Sequence, residues 1–303
     1  MRMSSIELGP QAPPHPPLGA LLVQYGYIRQ EDIDTILEYQ AAQRIRFGEA
    51  AIRLGLVSAE NVRFALSRQF EFAYLRPGRE GSQVSPEVVS ACEPFGGAAD
   101  QIRSIRSQLM LHWFDKLQGR NALAILGAVA GEGRSYLAAN LAVAFAQAGE
   151  NVLLVDANFR APRQHTLFGI QNDIGLSTIL AGYRHSEAIL RVSELSGLFL
   201  LPAGALPPNP LELLTRATWQ DFLARARSNF DMLIVDTPAL QCGEDAVFAA
   251  VKTGAALLVA RTGVTPVKAL ANAARTLTRA RVPVVGTIWN HVADVSPAHL
   301  GGD

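Results

Sequence analysis

Two kinds of hydrophobic periodicity divide the chain. Between residues 17 and 75 apolar positions recur at helical spacing and the whole pattern then repeats. Leu18-Gly19, Leu22, Gly26, Ile28, Ile33, Leu37 and Gln40 return as Phe47-Gly48, Ala51, Gly55, Val57, Val62, Leu66 and Gln69, each displaced by 29 residues. A constant displacement over this many positions marks tandem supersecondary units. Within each copy the apolar positions surround a glycine stop, so each unit predicts a helix, a turn and a second helix, and the pair a small all-α domain. From residue 121 onward the pattern changes. Short apolar runs of strand length at 121–126, 151–155, 231–236, 255–259 and 282–288 alternate with longer segments of helical character. That alternation predicts an α/β domain with a mostly parallel, doubly wound sheet.

The segments outside these patterns set the boundaries. Residues 1–16 are rich in Pro, Ser and Gly and predict a disordered lead-in, while 76–99 turn to Gly, Pro, Ser and Glu and read as a linker. An amphipathic helix is expected from residue 100 to about 117, its basic residues on a solvated face. The organisation read from the chain is therefore 1–16, 17–75, 76–99 and 100–303.

Composition narrows the function. The 27 basic and 27 acidic residues cancel, which removes the electrostatic argument for non-specific nucleic-acid binding. Cys92 and Cys242 have no metal-ligand spacing and suggest a reducing compartment. The first residues lack the apolar core of a signal peptide, and no run approaches the length of a membrane span. The expectation is a soluble, cytoplasmic protein that acts at a membrane only if a partner brings it there.

Candidate chemistry centres on G-A-V-A-G-E-G-R-S-Y at 127–136, between the first strand-like run and an Ala- and Leu-rich helix. A glycine turn entering a helix gathers free backbone N–H groups at one point and binds phosphate. Against the pattern G-x-x-x-x-G-K-[ST], the chain has Ala128, Gly133, Arg134 and Ser135, so a plain glycine turn is the competing reading of this stretch alone. Gly131, Glu132, Gly133, Arg134, Ser135 and Tyr136 form the candidate phosphate loop. Asp156 and Asp236 close two apolar strands, where a magnesium ion on nucleotide phosphates would sit, partly through water, with Ser135 as a third ligand. Asn290 closes the last strand, where an amide could read an adenine edge.

With these residues in view, four stretches resemble the bacterial tyrosine kinases of polysaccharide biosynthesis, relatives of the MinD and ParA ATPases: G-E-G-R-S-Y-L-A-A-N-L-A, V-D-A-N-F-R-A-P-R-Q-H-T-L-F-G-I-Q-N-D-I-G-L-S, L-P-A-G-A-L-P-P-N-P-L-E-L-L and F-D-M-L-I-V-D-T-P. The N-terminal repeat resembles the MshEN domain of type II secretion ATPases, and the combination resembles chain-length determinant tyrosine kinases of the EpsG type. The resemblance implies ATP or ADP with Mg2+, a Wzz-like membrane polysaccharide copolymerase as partner, and a homo-oligomer with Asp100, Arg103 and Arg106 at a subunit contact. It also implies cyclic di-GMP binding through Leu18, Gly19, Gln40, Arg46, Gly48 and Gln69, although Pro17 stands where the first copy would carry an arginine.

Three departures bear on turnover. Arg134 replaces a compact ammonium with a planar guanidinium, Asn158 replaces a second acid after Asp156, and no tyrosine follows Tyr183, so no tail phosphorylation is expected. With Asp156, Arg134 and Asp236 as the catalytic set, three readings compete. The first is a tyrosine kinase acting on Tyr25, Tyr27, Tyr39, Tyr74, Tyr183 or a partner. The second is a nucleotide-sensing scaffold with little catalysis, and the third a ParA-like positioning ATPase, against which the L-P-A-G and P-P-N-P stretches speak.

Overall fold

The computed structural model describes residues 16–69, 74–75, 82–183 and 186–291. The sequence-predicted lead-in lies almost wholly outside these residues. The chain divides into two compact units, Met1–Arg79 and Glu80–Asp303.

The N-terminal unit contains α1 (Leu18–Gln24), α2 (Asp32–Gln43), α3 (Phe47–Arg53) and α4 (Ala59–Gln69). Gly26 and Gly55 end α1 and α3 at φ 72° and 71°, which explains the repeated glycine, since a side chain is strained in that region. Gly19 and Gly48 have a different reason. A Cβ on Gly19 would stand 3.1 Å from the Phe47 ring, and one on Gly48 2.8 Å from Val62 Cγ1, so both permit close helix packing. The core gathers Leu21, Leu22, Ile28, Ile36, Ala50, Ala51, Val57, Val62 and Ala65. The two copies are not equally packed: in α2 it is Ile36 that is buried, while Leu37 is 47% exposed.

The second unit begins with α5 (Val89–Cys92) and α6 (Gly97–His112). The α/β alternation follows as β1 (Ala122–Gly127), α7 (Arg134–Gln147), β2 (Val152–Asp156), α8 (Gln164–Leu167), α9 (Leu176–Leu180), β3 (Leu190–Arg191), β4 (Leu198–Leu201), α10 (Pro210–Thr215) and α11 (Ala217–Asn229). It ends with β5 (Met232–Asp236), α12 (Asp245–Thr253), β6 (Ala256–Arg261), α13 (Val267–Arg279) and β7 (Val284–Asn290). The sheet order is β3-β4-β2-β5-β1-β6-β7, parallel throughout except for the β3–β4 pair. Every residue of β1, β2 and β5 is buried, as expected of strands covered on both faces. The central helix α7 is buried from Leu137 to Gln147, and its alanines let it lie close to the strands.

Two segments differ from the sequence expectation. Within the 76–99 stretch read as a linker, residues 85–99 pack against the α/β unit. Ser85 N–H donates to Leu167 O (2.8 Å), Ser90 N–H to Asn140 Oδ1 (2.8 Å), Asn140 Nδ2 to Glu87 O (3.0 Å) and Gln147 Nε2 to Ser90 O (2.6 Å). Buried amides on α7 thus supply partners for a backbone whose composition suggested none. The helix expected to reach residue 117 ends at His112, because Asp115 accepts from Leu117 N–H and Gln118 N–H and starts a separate turn. Among the described residues no helix is long and apolar enough to cross a membrane.

Candidate nucleotide-binding site

The loop after β1 is built around its own glutamate. Glu132 is 0% exposed; its Oε2 accepts from Val129 N–H (3.1 Å) and Arg134 Nη1 (3.0 Å), and its Oε1 from Thr265 Oγ1 (2.7 Å). A Cβ on Gly127 would overlap this carboxylate, so the glycine makes room for the folded-back side chain. Gly131 and Gly133 adopt φ 80° and 95°, turning the chain into α7, which starts at Arg134. The Arg134 side chain is 10% exposed and is held inside the loop, with Nη1 donating to Val129 O (2.5 Å) and Nε to Thr237 O (3.3 Å). Arg134, a member of the candidate phosphate loop and catalytic set, thus forms an ion pair with Glu132. Residues from the far end of the sheet brace the outside of the loop. Arg261 Nη1 donates to Gly131 O (3.0 Å) and Asn290 Nδ2 to Glu132 O (2.9 Å), while Asn290 Oδ1 accepts from His291 N–H (2.9 Å). The two braces are register partners on β6 and β7.

Opposite the loop, the pairing of β2 with β5 sets Asp156 beside Asp236, both fully buried. Asp156 Oδ1 accepts from Asn158 N–H (3.1 Å), and Oδ2 from Arg163 N–H (2.9 Å) and Gln164 N–H (3.0 Å). Burial, and then the Asp236 charge, nonetheless push its carboxyl up to about 8, against those three donors. Burial also raises Asp236, opposed by the Ser135 hydroxyl, the Gln164 amide and the Arg134 charge. Gln164 Nε2 donates to Asp236 Oδ2 (2.7 Å) and to Ser135 O (3.1 Å), whereas Asp236 Oδ1 and Gln164 Oε1 are buried without a hydrogen-bond partner. Two adjacent buried carboxylates, a nearby hydroxyl and an unsatisfied acceptor oxygen fit a hard cation such as Mg2+, which takes oxygen ligands and keeps waters. Backbone N–H groups at the start of α7 face the same end of the sheet and suit phosphate.

The remaining sequence-predicted residues fall into place around this centre or away from it. Asn158 closes a local turn, exchanging bonds with Ala161 (Nδ2 to O, 2.8 Å; N–H to Oδ1, 3.2 Å). Tyr136 is half-buried on the first turn of α7, its phenol pushed up by burial and by Glu87 and Glu93. On α6, Asp100 pairs with Arg103, Arg103 Nη1 donates to Pro94 O (2.6 Å) and Arg106 Nη1 to Ala144 O (2.9 Å). In the N-terminal unit Gln69 Nε2 donates to Pro16 O (3.2 Å), Arg46 is exposed ahead of α3, and Leu18 packs on the core beside Gly19 and Gly48. Sequence reasoning did not single out Gln164, Thr237, Arg261 or Thr265. The first lies within the V-D-A-N-F-R-A-P-R-Q-H stretch and was open to notice; Thr265 carries no local signal, being 133 residues from the glutamate it holds.

A parallel sheet with this loop after a central strand and acids at two adjacent strand ends defines the P-loop ATPase class. The septum site-determining protein MinD complexed with Mg-ADP, from Pyrococcus horikoshii OT3, shares this fold with a TM-score of 0.50 at 20% identity, over 58% of this chain and 74% of that one. Within the class the assignment is narrower. A family model described as cellulose biosynthesis protein BcsQ matches residues 120–282. Tyrosine-protein kinase YwqD of Bacillus subtilis (strain 168) is 34% identical over 216 residues, which are 71% of this chain and 90% of that protein. Tyrosine-protein kinase Etk of Escherichia coli (strain K12) is 33% identical over 199 residues, 66% of this chain but only 27% of that protein. The solved kinase domain of E. coli ETK has a TM-score of 0.66 at 27% identity, covering 76% of this chain and 95% of that domain. The chain belongs to the bacterial tyrosine-kinase family of P-loop proteins.

Proposed function

We propose that the protein binds Mg-ATP and Mg-ADP and acts as a tyrosine-kinase-type regulator of exopolysaccharide production. The observation that carries this reading is the buried Asp156–Asp236 pair beside Ser135, with Asp236 Oδ1 unpartnered, at the end of a phosphate loop. Backbone N–H groups of residues 131–135 hold the phosphates, and the Ser135 hydroxyl, Asp156 and Asp236 hold the metal and its waters. A bound magnesium ion would supply charge neutralisation on the phosphates. Asp156, as a carboxylate at the end of β2 beside Asp236, can orient an attacking phenol or accept its proton.

A second reading, of nucleotide sensing with little transfer, is favoured by one observation. The Arg134 guanidinium is bound to Val129 O, Thr237 O and the Glu132 carboxylate instead of standing free for a phosphate. Under either reading the partner is a membrane polysaccharide copolymerase, with the protein cytoplasmic and peripheral to the inner membrane, controlling chain length through self-association. Asp100, 67% exposed on α6, is the part of the subunit-contact motif best placed for a second copy. A cyclic di-GMP role for the N-terminal unit rests on the repeat and on exposed Arg46. It predicts that Arg46→Ala weakens cyclic di-GMP binding to the full chain, and unchanged affinity removes it.

Calorimetric titration with Mg-ADP tests the central claim, with micromolar-range affinity expected and a flat trace counting against it. Incubation with labelled ATP alongside the cognate membrane partner, followed by tyrosine-phosphate mapping, separates the two readings.

A further inference from the structure

We propose that Gln164 is a positioning residue for the divalent cation, tying the phosphate loop to both strand-end acids. The inference rests on the nucleotide-binding reading above and assigns a role that the loop and acid motifs do not contain.

Three bonds from one fully buried residue reach the three parts of the site. The Gln164 backbone N–H donates to Asp156 Oδ2, and the side-chain Nε2 donates both to Ser135 O and to Asp236 Oδ2. Two acceptors on a single atom fix the orientation of the amide, because an oxygen there would face two oxygens. That orientation commits Oε1 to the interior, where it has no partner. A buried amide oxygen left unsatisfied carries its full desolvation penalty, as does Asp236 Oδ1, on the carboxylate whose other oxygen Gln164 holds. Both costs vanish together if a hydrated cation sits against Asp236, because its waters donate to acceptors of this kind. With Asp236 Oδ2 occupied by Nε2, Oδ1 is the oxygen that would hold the cation. Gln164 thus selects which carboxylate oxygen is left for a cation, and its Oε1 would accept a hydrogen bond from a water on that cation. Ser135, whose hydroxyl would bind the same ion, is held through its own carbonyl by the same amide.

The test compares ADP affinity with Mg2+ and with EDTA in the full-length protein and in Gln164→Met, which keeps the side-chain length and removes both donors and the acceptor. A drop of about tenfold in Mg-ADP affinity is expected, with metal-free ADP affinity unchanged. Mn2+ in place of Mg2+ gives a second readout, since its EPR signal in the ADP complex should broaden or be lost in the variant. Gln164→Asn, which keeps the amide one methylene short, should show the same split to a smaller degree, and it serves if the methionine variant does not fold. Equal losses with and without metal would mean that Gln164 only supports the fold, and no loss would mean that it supports nothing here; either overturns the proposal. If the unaltered protein binds no ADP under either condition, the nucleotide reading itself falls.

Discussion

The two walls of the site have opposite character. On the loop wall, Glu132 and Arg134 satisfy each other and are completed by Val129, Thr237 and Thr265. On the acid wall, Asp156 and Asp236 lie side by side with raised pKa values, and two buried acceptors have no partner. A buried ion pair completed by hydrogen bonds is finished before any ligand arrives, whereas two adjacent buried carboxylates are only partly compensated by their hydrogen-bond donors and the Arg134 charge, and still favour a cation. The difference teaches where ligand energy goes. The loop contributes shape and backbone N–H groups with its net charge cancelled, and the acid wall supplies the charge that a metal neutralises.

Removing the acid wall should have the largest effect. Asp236→Ala is expected to weaken Mg-ADP by at least about 100-fold in calorimetry, since it deletes the unpartnered oxygen and the carboxylate with which Gln164 bonds. Retained affinity would show that the loop alone binds the ligand. Breaking the loop wall should cost stability before affinity. Glu132→Gln leaves a nearly buried guanidinium without its counter-charge and should lower unfolding free energy by about 3 kcal/mol, read from urea midpoints.

The pH dependence separates the walls next. The Asp156 pKa rises from 3.8 unfolded to about 8 folded, so its protonated form stabilises the fold fully below pH 3.8 and that contribution is lost as pH rises through about 8. The ligand-free protein should therefore weaken over this window, Asp156→Asn should flatten the curve, and Mg-ADP should restore stability near pH 8. The smallest expected effect is that of Arg134→Lys. A single ammonium cannot reproduce the separate Nε and Nη1 bonds, so stability should fall by about 1 kcal/mol, while ATPase activity should rise a few-fold as a compact charge becomes available to phosphate. A clear loss of activity would show that the site is built around guanidinium.

How much of this was legible in the chain follows from how local each cause is. β1, β2, β5, β6 and β7 were readable as apolar runs, and the acids at 156 and 236 as their ends, because both signals lie within a few residues. β3 and β4 are two and four residues long, too short to carry a period. Residues 85–99 looked like a linker because the buried amides that hold them, Asn140 and Gln147, lie on α7 about 50 residues away. The repeat predicted the N-terminal helices and their glycine stops, yet not that Ile36 would be the buried residue of α2 in place of Leu37. Arg134 was legible as a cation in the loop, but its direction was not. That direction depends on Glu132, whose own orientation is held by Thr265 across 133 positions.

The missing side chain of Gly127 has a consequence for anyone searching genomes. The usual motif sets its first glycine at 128, where this chain has alanine and scores a mismatch. The position that tolerates no Cβ is one earlier, under the carboxylate of Glu132. A pattern written from this steric constraint, G-x-x-x-G-E-G, would retain chains that the standard filter discards, and would let the residue after the last glycine vary between lysine and arginine. Counted that way, the loop of this chain carries no defect at its first glycine; the ruler was placed one residue late.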